Sequence, residues 1–286
     1  MARMRLGVVL LVPPPTASEI DGLRRACGDA AIERVPPHIT LVPPVNVSES
    51  RLPEALHLVR RASAEMSPLE LDLGPVTSFL PDSPTLYLEV DGSSDAFASL
   101  QRLRGDIFRP PLERALAFPF VPHVTIADDI GTERIARAVE ALSDYSATIE
   151  CRSVHLLREE RTDGRVRWSP IADHQFGPPI PVGRGGLPLE LWISEGADPE
   201  GRQLLDAELR DGLLSERAAP ELPATWRSLT ISARRRDELV GVATGGTDGR
   251  SSQLSGLVVA ADHRGQGIAR HLYTWFIAEG GPALET

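Results

Sequence analysis

The spacing of apolar residues divides the chain into two stretches of strands and helices. Residues 6–12 carry no polar side chain and are bounded by Arg5 and by Pro13-Pro14-Pro15, which predicts a first strand buried on both faces. From Ser18 the period becomes helical, with Ile20, Leu23, Cys27 and Ile32 on one side, until Pro36-Pro37 stops the helix. A short strand follows at 37–41 and is predicted to end at Pro43-Pro44. A second helix starts near Ser48, with Leu52, Ala55, Leu56 and Val59 at helical spacing, and its His57 reads as a boundary residue. Strands are predicted at 69–77 and 85–90. In the latter, Leu86, Leu88 and Val90 alternate with Tyr87 and Glu89, and Tyr87 reads as a packing aromatic. A third helix at about 94–108 leads through Phe118-Pro119-Phe120-Val121 to a strand at 122–126. Thr132 then caps a fourth helix carrying Ile135, Val139 and Leu142. Segments 147–157 and 166–176 read as a hairpin turning at Asp163-Gly164. The order helix, strand, helix, strand pair thus occurs twice, preceded the first time by a strand, so that the two halves repeat imperfectly.

Gly177-Pro178-Pro179-Ile180-Pro181 and Gly183-Arg184-Gly185-Gly186 mark a linker, taken as residues 179–187. It separates a first domain at 1–178 from a second at 188–286. The second reads as a strand at 189–194, a helix at 202–214 and a hairpin at 228–245 around 234–237. A buried strand at 254–259 and an amphipathic helix to about residue 277 complete it.

Composition narrows the class. The chain has 286 residues, 42% of them apolar and 24% charged, as expected of a globular protein large enough for two domains. All 30 basic residues are arginine. Two cysteines, Cys27 and Cys151, are too few for a disulfide framework or a zinc site. The apolar start is too short for a secretory signal and no segment has the length of a membrane span, so a cytoplasmic location is expected. The net charge of −10 is spread over both domains and argues against an extended nucleic-acid surface, leaving a small nucleotide or an RNA end as the expected ligand.

The chemistry lies in a sequence that the chain contains twice. Pro37-His38-Ile39-Thr40-Leu41 returns at Pro122-His123-Val124-Thr125-Ile126. In a strand, residues i and i+2 share a face. Each copy therefore presents an imidazole beside a hydroxyl, while Ile39 and Val124 face a core. An imidazole exchanges a proton near neutral pH, and a hydroxyl donates to an anionic oxygen. Two such strands facing one phosphate would provide the acid and the base that phosphodiester cleavage needs.

The paired motif resembles the two-histidine (2H) phosphoesterase superfamily, which includes the 2′-5′ RNA ligase-like proteins. The resemblance spans about residues 1–178. It implies an α/β (α+β) bilobal fold with pseudo-twofold symmetry and a metal-independent site between the lobes. It also implies catalytic roles for His38 and His123 and phosphate-binding roles for Thr40 and Thr125, with no cofactor. Which histidine is base and which acid stays open, as does hydrolysis against ligation. Many relatives carry a basic residue soon after the second motif, where this chain has Ala127-Asp128-Asp129. Two carboxylates there would repel an anionic substrate unless they point away or bind ribose hydroxyls. Arg158 is a candidate phosphate partner without a place.

The second domain resembles the GNAT N-acetyltransferase superfamily. The match is Arg264-Gly265-Gln266-Gly267-Ile268-Ala269, directly after a strand and opening a helix. Backbone amides at such a helix start would cradle the pyrophosphate of CoA or acetyl-CoA. The resemblance assigns cofactor binding to Val258, Val259, Arg264, Gly265, Gln266, Gly267, Ile268 and Ala269. Little chain follows the helix, so contact with CoA without efficient acetyl transfer is expected, and His271 and Tyr273 read as packing residues. Two rival readings are an acetyltransferase whose first domain confers specificity, and a nucleotide-binding module without turnover.

Overall fold

The computed structural model describes residues 2–182, 189–196, 198–210, 223 and 225–281. Two compact units divide between Pro170 and Ile171. Among the described residues, no helix is long and apolar enough to cross a membrane.

The first unit is built on strands β1 (Arg3–Leu11), β2 (His38–Ser48), β3 (Leu69–Ser78), β4 (Leu86–Asp91), β5 (His123–Ala127), β6 (Ala147–Cys151), β7 (Ser153–Thr162) and β8 (Arg165–Gln175). Its helices are α1 (Thr16–Cys27), α2 (Leu52–Ala64), α3 (Ser94–Ile107) and α4 (Thr132–Ala141). The strands lie in the order β6-β3-β4-β5-β2-β1-β7-β8. Outward from the centre, one half runs β2, β1, β7, β8 and the other β5, β4, β3, β6, with the two motif strands side by side at the join. The helices repeat the symmetry across it. α1, which precedes β2, packs on β5, and α3, which precedes β5, packs on β2. The outer strands are exchanged relative to chain order, because β3 pairs with β4 and β6 whereas β7 pairs with β1.

Several predicted boundaries move for identifiable reasons. Strand β2 runs past Pro43-Pro44 to Ser48, because the ladder to β1 carries an irregularity where prolines need no pairing. The segment predicted as one strand at 147–157 breaks at Arg152 into β6 and β7, which belong to opposite halves. Gly131, not Thr132, occupies the cap of α4. Helix α1 stops at Cys27 on a left-handed Gly28, which leaves Ile32 in the following loop.

That loop is held by one buried cation. The Arg24 guanidinium donates to Asp29 (2.8 Å), to Asp21 (2.9 Å) and to the Val35 and Ala31 carbonyls (3.0 and 3.2 Å). Arg24 stands on the buried side of α1 with Ile20 and Cys27, and it fixes the backbone that delivers Pro36-Pro37 to β2.

The second unit is a five-stranded antiparallel sheet ordered β13-β12-β11-β10-β9. Its strands are β9 (Ile180–Val182), β10 (Leu189–Ser194), β11 (Arg227–Arg235), β12 (Glu238–Thr247) and β13 (Ser252–Val259). Helix α6 (Ile268–Gly280) covers it through Ile268, Leu272 and Phe276, and α5 (Pro199–Arg210) packs on β12 and β13. Residues 180–182, part of the expected linker, pair instead with β10, because Ile180 and Val182 add to this core. Gly183–Gly186 of the expected linker, and the predicted helical residues 211–214, lie outside the described residues.

Removing the carboxylate from the Arg24 clamp leaves a buried guanidinium short of its partner, a loss of about 3 kcal/mol by analogy with broken buried pairs. Asp29→Ala is therefore expected to lower the urea midpoint strongly. Asp106→Ala, which removes an exposed pair with Arg109, is expected to leave it almost unchanged.

Candidate active site

The two motif strands meet at a single residue pair, Ile39 opposite Val124, both fully buried. Counting outward in an antiparallel ladder places His38 across from Thr125 and Thr40 across from His123. All four side chains share the face opposite Ile39 and Val124. The imidazoles sit on the diagonal of this square, a relation that puts the Cα atoms about 7–8 Å apart. The structure thus brings together all four residues expected from the duplicated motif.

Both imidazoles are held the same way. His38 Nδ1 lies 2.7 Å from the Pro36 carbonyl, and His123 Nδ1 lies 2.8 Å from the Val121 carbonyl. A carbonyl only accepts, so Nδ1 carries the proton in each ring and Nε2 is left facing outward for proton exchange. The prolines set this geometry, since Pro36-Pro37 and Pro122 keep the preceding backbone extended and turn those carbonyls toward the rings.

The halves differ electrically. Burial lowers the His38 pKa to about 4, and the fields of Arg24 and His123 oppose its protonation further, against a raising contribution from the Pro36 carbonyl. Burial also lowers the pKa of His123, opposed by the Val121 carbonyl. Across the neighbouring strand, Leu11 of β1 stands opposite His38 and Glu89 of β4 opposite His123. The cross-strand neighbour is thus a leucine for one histidine and a glutamate for the other.

Aromatic rings wall the His123 side. Tyr87 is buried, stacked on Phe79 with centroids 3.9 Å apart, and both rings meet the His123 ring edge-on at 5.4 and 4.9 Å. Tyr87 is a packing residue, and the half-buried ring above it is Phe79. The approach to β5 is tied down by Arg104 of α3, whose guanidinium sits 4.5 Å from both the Phe108 and Phe120 rings. Asp128 stands beyond the far end of β5 from His123 and accepts from the Thr85 hydroxyl at 2.6 Å. At five residues of strand, about 16 Å, its charge is directed away from the dyad.

Of these residues, Glu89 was within reach of the sequence, because the alternation through Tyr87 and Glu89 places both on the face that Leu88 avoids. Arg24 had a signal too, as a cation inside an apolar stripe. Phe79 had none, since it follows its strand in a turn.

In the second unit, Val258, Val259, Arg264, Gly265, Gly267, Ile268 and Ala269 line a cavity of about 320 Å³ with Leu257 and His263. Gln266 does not line it. Gly265 and Gly267 have positive φ, 75° and 80°, which turns the loop into α6. The Arg264 side chain is engaged within the unit. It donates to the Val259 carbonyl at 3.0 Å and forms an ion pair with Glu208 of α5. It fastens the loop to α5.

Comparison with known proteins agrees with both halves of this description. The model of the 2′-5′ RNA ligase superfamily matches residues 12–163, and that of the acetyltransferase (GNAT) family matches residues 199–281. A protein of Bacillus pumilus is 29% identical over 158 residues, covering 54% of this chain and 88% of its own. One of Geobacillus thermodenitrificans is 32% identical over 128 residues, covering 44% and 70%. Both bear the name "putative phosphoesterase". Among solved structures, Escherichia coli LigT complexed with NADP+ is similar at 20% identity and a TM-score of 0.45, over 61% of this chain and 99% of that one. With its paired His-x-Thr strands inside the matched region, this chain belongs to the 2′-5′ RNA ligase superfamily, as an enzyme of the two-histidine phosphoesterase class followed by a GNAT-like segment.

Proposed function

We propose that the first unit hydrolyses a cyclic phosphodiester at a nucleotide or RNA end, with His38 as general base and His123 as general acid. The observation that carries this reading is the square of His38, Thr40, His123 and Thr125 around the Ile39–Val124 pair. His38 Nε2 takes a proton from water as the water oxygen attacks phosphorus. The bond from phosphorus to one ribose oxygen breaks, and the Nε2 proton of His123 passes to that oxygen, leaving a phosphomonoester. Thr40 and Thr125 donate to the non-bridging oxygens, where charge builds in the transition state. The division of labour follows the local charges. His38, beside Leu11 and in the field of Arg24, is kept neutral as a base must be. His123, opposite Glu89, is the better place for a proton, and a bound phosphate anion favours it further.

A second reading concerns the other unit, and the cavity at the start of α6 supports it. The loop Arg264–Gly267 and the first turn of α6 would hold the pyrophosphate of CoA or acetyl-CoA through backbone amides.

His38→Ala and His123→Ala are each expected to lower kcat on a nucleoside 2′,3′-cyclic phosphate by about 10²–10⁴. The double variant should be little worse than the poorer single, because the pair acts as a unit. Near-full activity of His38→Ala would contradict the paired mechanism. Chelation with EDTA is expected to leave the rate unchanged.

The plot of kcat/KM against pH is expected to be a bell whose limbs belong to the coupled pair. Because burial depresses both histidines, the optimum should lie on the acid side of neutrality. Glu89→Leu removes a carboxylate that favours imidazolium, so the alkaline limb should move to lower pH by about half a unit. A bell unmoved by Glu89→Leu would break the assignment of His123 as acid.

For the second unit, calorimetry with CoA should show binding that Ala269→Glu abolishes. A carboxylate in the first turn suits the helix itself but repels a phosphate from its N-terminus. Equal binding by wild type and variant would remove CoA from this loop.

A further inference from the structure

The cavity in the second unit is short of positive charge. Aliphatic side chains of β13 and α6 line it with Gly265 and Gly267, and only two lining side chains, Arg264 and His263, can carry a cation. Arg264 is engaged with Glu208 and the Val259 carbonyl. What remains to attract a diphosphate is the partial charge at the start of α6. In a chain of net charge −10, that is little for a ligand with two negative charges. With Arg264 engaged, His263 is the lining residue that can supply a full charge.

The end of β13 fixes where this ring stands. After Val259 the chain stays beside β12 for one more residue, and the Ala260 amide donates to the Val240 carbonyl at 3.0 Å. The 3₁₀ turn Ala261–His263 follows, with the His263 amide donating to the Ala260 carbonyl at 2.9 Å. Glu238 opens β12 two residues before Val240, so the turn carries His263 to it. Nε2 lies 3.8 Å from a Glu238 carboxylate oxygen, too far for a hydrogen bond but close enough for attraction between charges. The imidazole is largely buried, and Nδ1 is enclosed without a hydrogen-bond partner among the described residues.

A buried polar atom without a partner costs stability unless something supplies one. With Nε2 turned to Glu238, Nδ1 is the nitrogen left for a ligand. The charged groups flanking the ring are Glu238 with its neighbour Asp237, Asp262 and Arg264 in the chain on either side, and Glu208 on α5. Of these, Arg264 and Glu208 neutralise each other.

We infer that His263 is a proton-dependent ligand of the diphosphate in this cavity. In the imidazolium form Nδ1–H donates to a phosphate oxygen while Nε2–H faces Glu238. A diphosphate keeps its charge between about pH 5 and 8, the range in which an imidazole changes its own. Binding supported by imidazolium is therefore fully present at the acid end, is lost toward the alkaline end, and takes up a proton in between. This rests on the reading of the cavity as a CoA site, and adds to it the residue that recognises the ligand's charge.

The test is calorimetry of CoA with the full chain in buffers of different ionisation enthalpy, which counts the protons taken up. Wild type should bind about tenfold more tightly at about pH 6 than at about pH 8, the usual size of one charge-assisted hydrogen bond. His263→Gln keeps a donor but cannot become charged. It should bind like wild type at about pH 8 and lose most of the gain at about pH 6, with fewer protons taken up. The 3′-phosphate of CoA titrates in the same range and contributes alike to both proteins, so their difference isolates the ring. His271→Gln changes the histidine of α6, outside the cavity lining, and should match wild type. Equal proton uptake by wild type and His263→Gln, or uptake lost in His271→Gln instead, would overturn the inference. So would a folded His263→Gln that binds no CoA at the alkaline end where wild type does, since that marks a structural role. If His263→Gln does not fold, nitrogen NMR of the wild-type histidines decides: CoA at neutral pH should protonate both nitrogens of His263, and an unchanged ring would overturn it. If wild type binds no CoA, the CoA reading fails, and the same spectrum is read with inorganic pyrophosphate. Protonation of His263 then keeps a diphosphate site, and an unmoved ring removes it.

Discussion

One residue pair carries the organisation of the first unit. Ile39 and Val124 meet at the join of the two halves of the sheet, and each is shielded completely from water. Because side chains alternate along a strand, burying these two forces His38, Thr40, His123 and Thr125 onto the other face. A slip of one residue at this join would turn all four into the core and bring Ile39 and Val124 out. The hydrophobic pressure that seals the halves together is thus the same pressure that aligns the four motif side chains. Helices α1 and α3 reinforce the join by packing across it, each on the other half's motif strand.

Symmetry of backbone does not mean symmetry of chemistry. Both imidazoles use the same hydrogen bond from Nδ1 to a carbonyl two residues earlier, so both aim Nε2 alike. A reaction that takes a proton with one and gives it with the other needs them to differ. The surroundings outside the motif do differ, with Leu11 and Arg24 on one side and Glu89 with two aromatic rings on the other. A duplicated scaffold supplies position, and in the proposed mechanism its divergent neighbours would supply the proton's preference.

The site was legible in the sequence because its signal is local. Five consecutive residues, repeated, state strand, face and chemistry together, and the structure needed only to bring the copies side by side. The loop from Arg264 into α6 was legible for the same reason, although the commitment of the Arg264 side chain to Glu208 and the Val259 carbonyl depends on a helix far away in the chain. What could not be read was pairing. The break of 147–157 into β6 and β7 hangs on which half each strand joins, a choice made by long-range partners and not by local pattern. The path of β2 through Pro43-Pro44 was missed because a ladder irregularity removes the penalty that proline ordinarily brings.

The central claim is that two imidazoles act on one phosphate with divided roles. It is tested most directly by nitrogen NMR of histidine-labelled protein, titrated with pH in the absence and presence of inorganic phosphate. The account predicts the Nδ1-protonated tautomer for His38 and His123 in the free protein at neutral pH. It also predicts that phosphate raises the titration of both, with His123 protonating at the higher pH throughout. Phosphate that shifts neither histidine, or a His38 that protonates above His123, would contradict it.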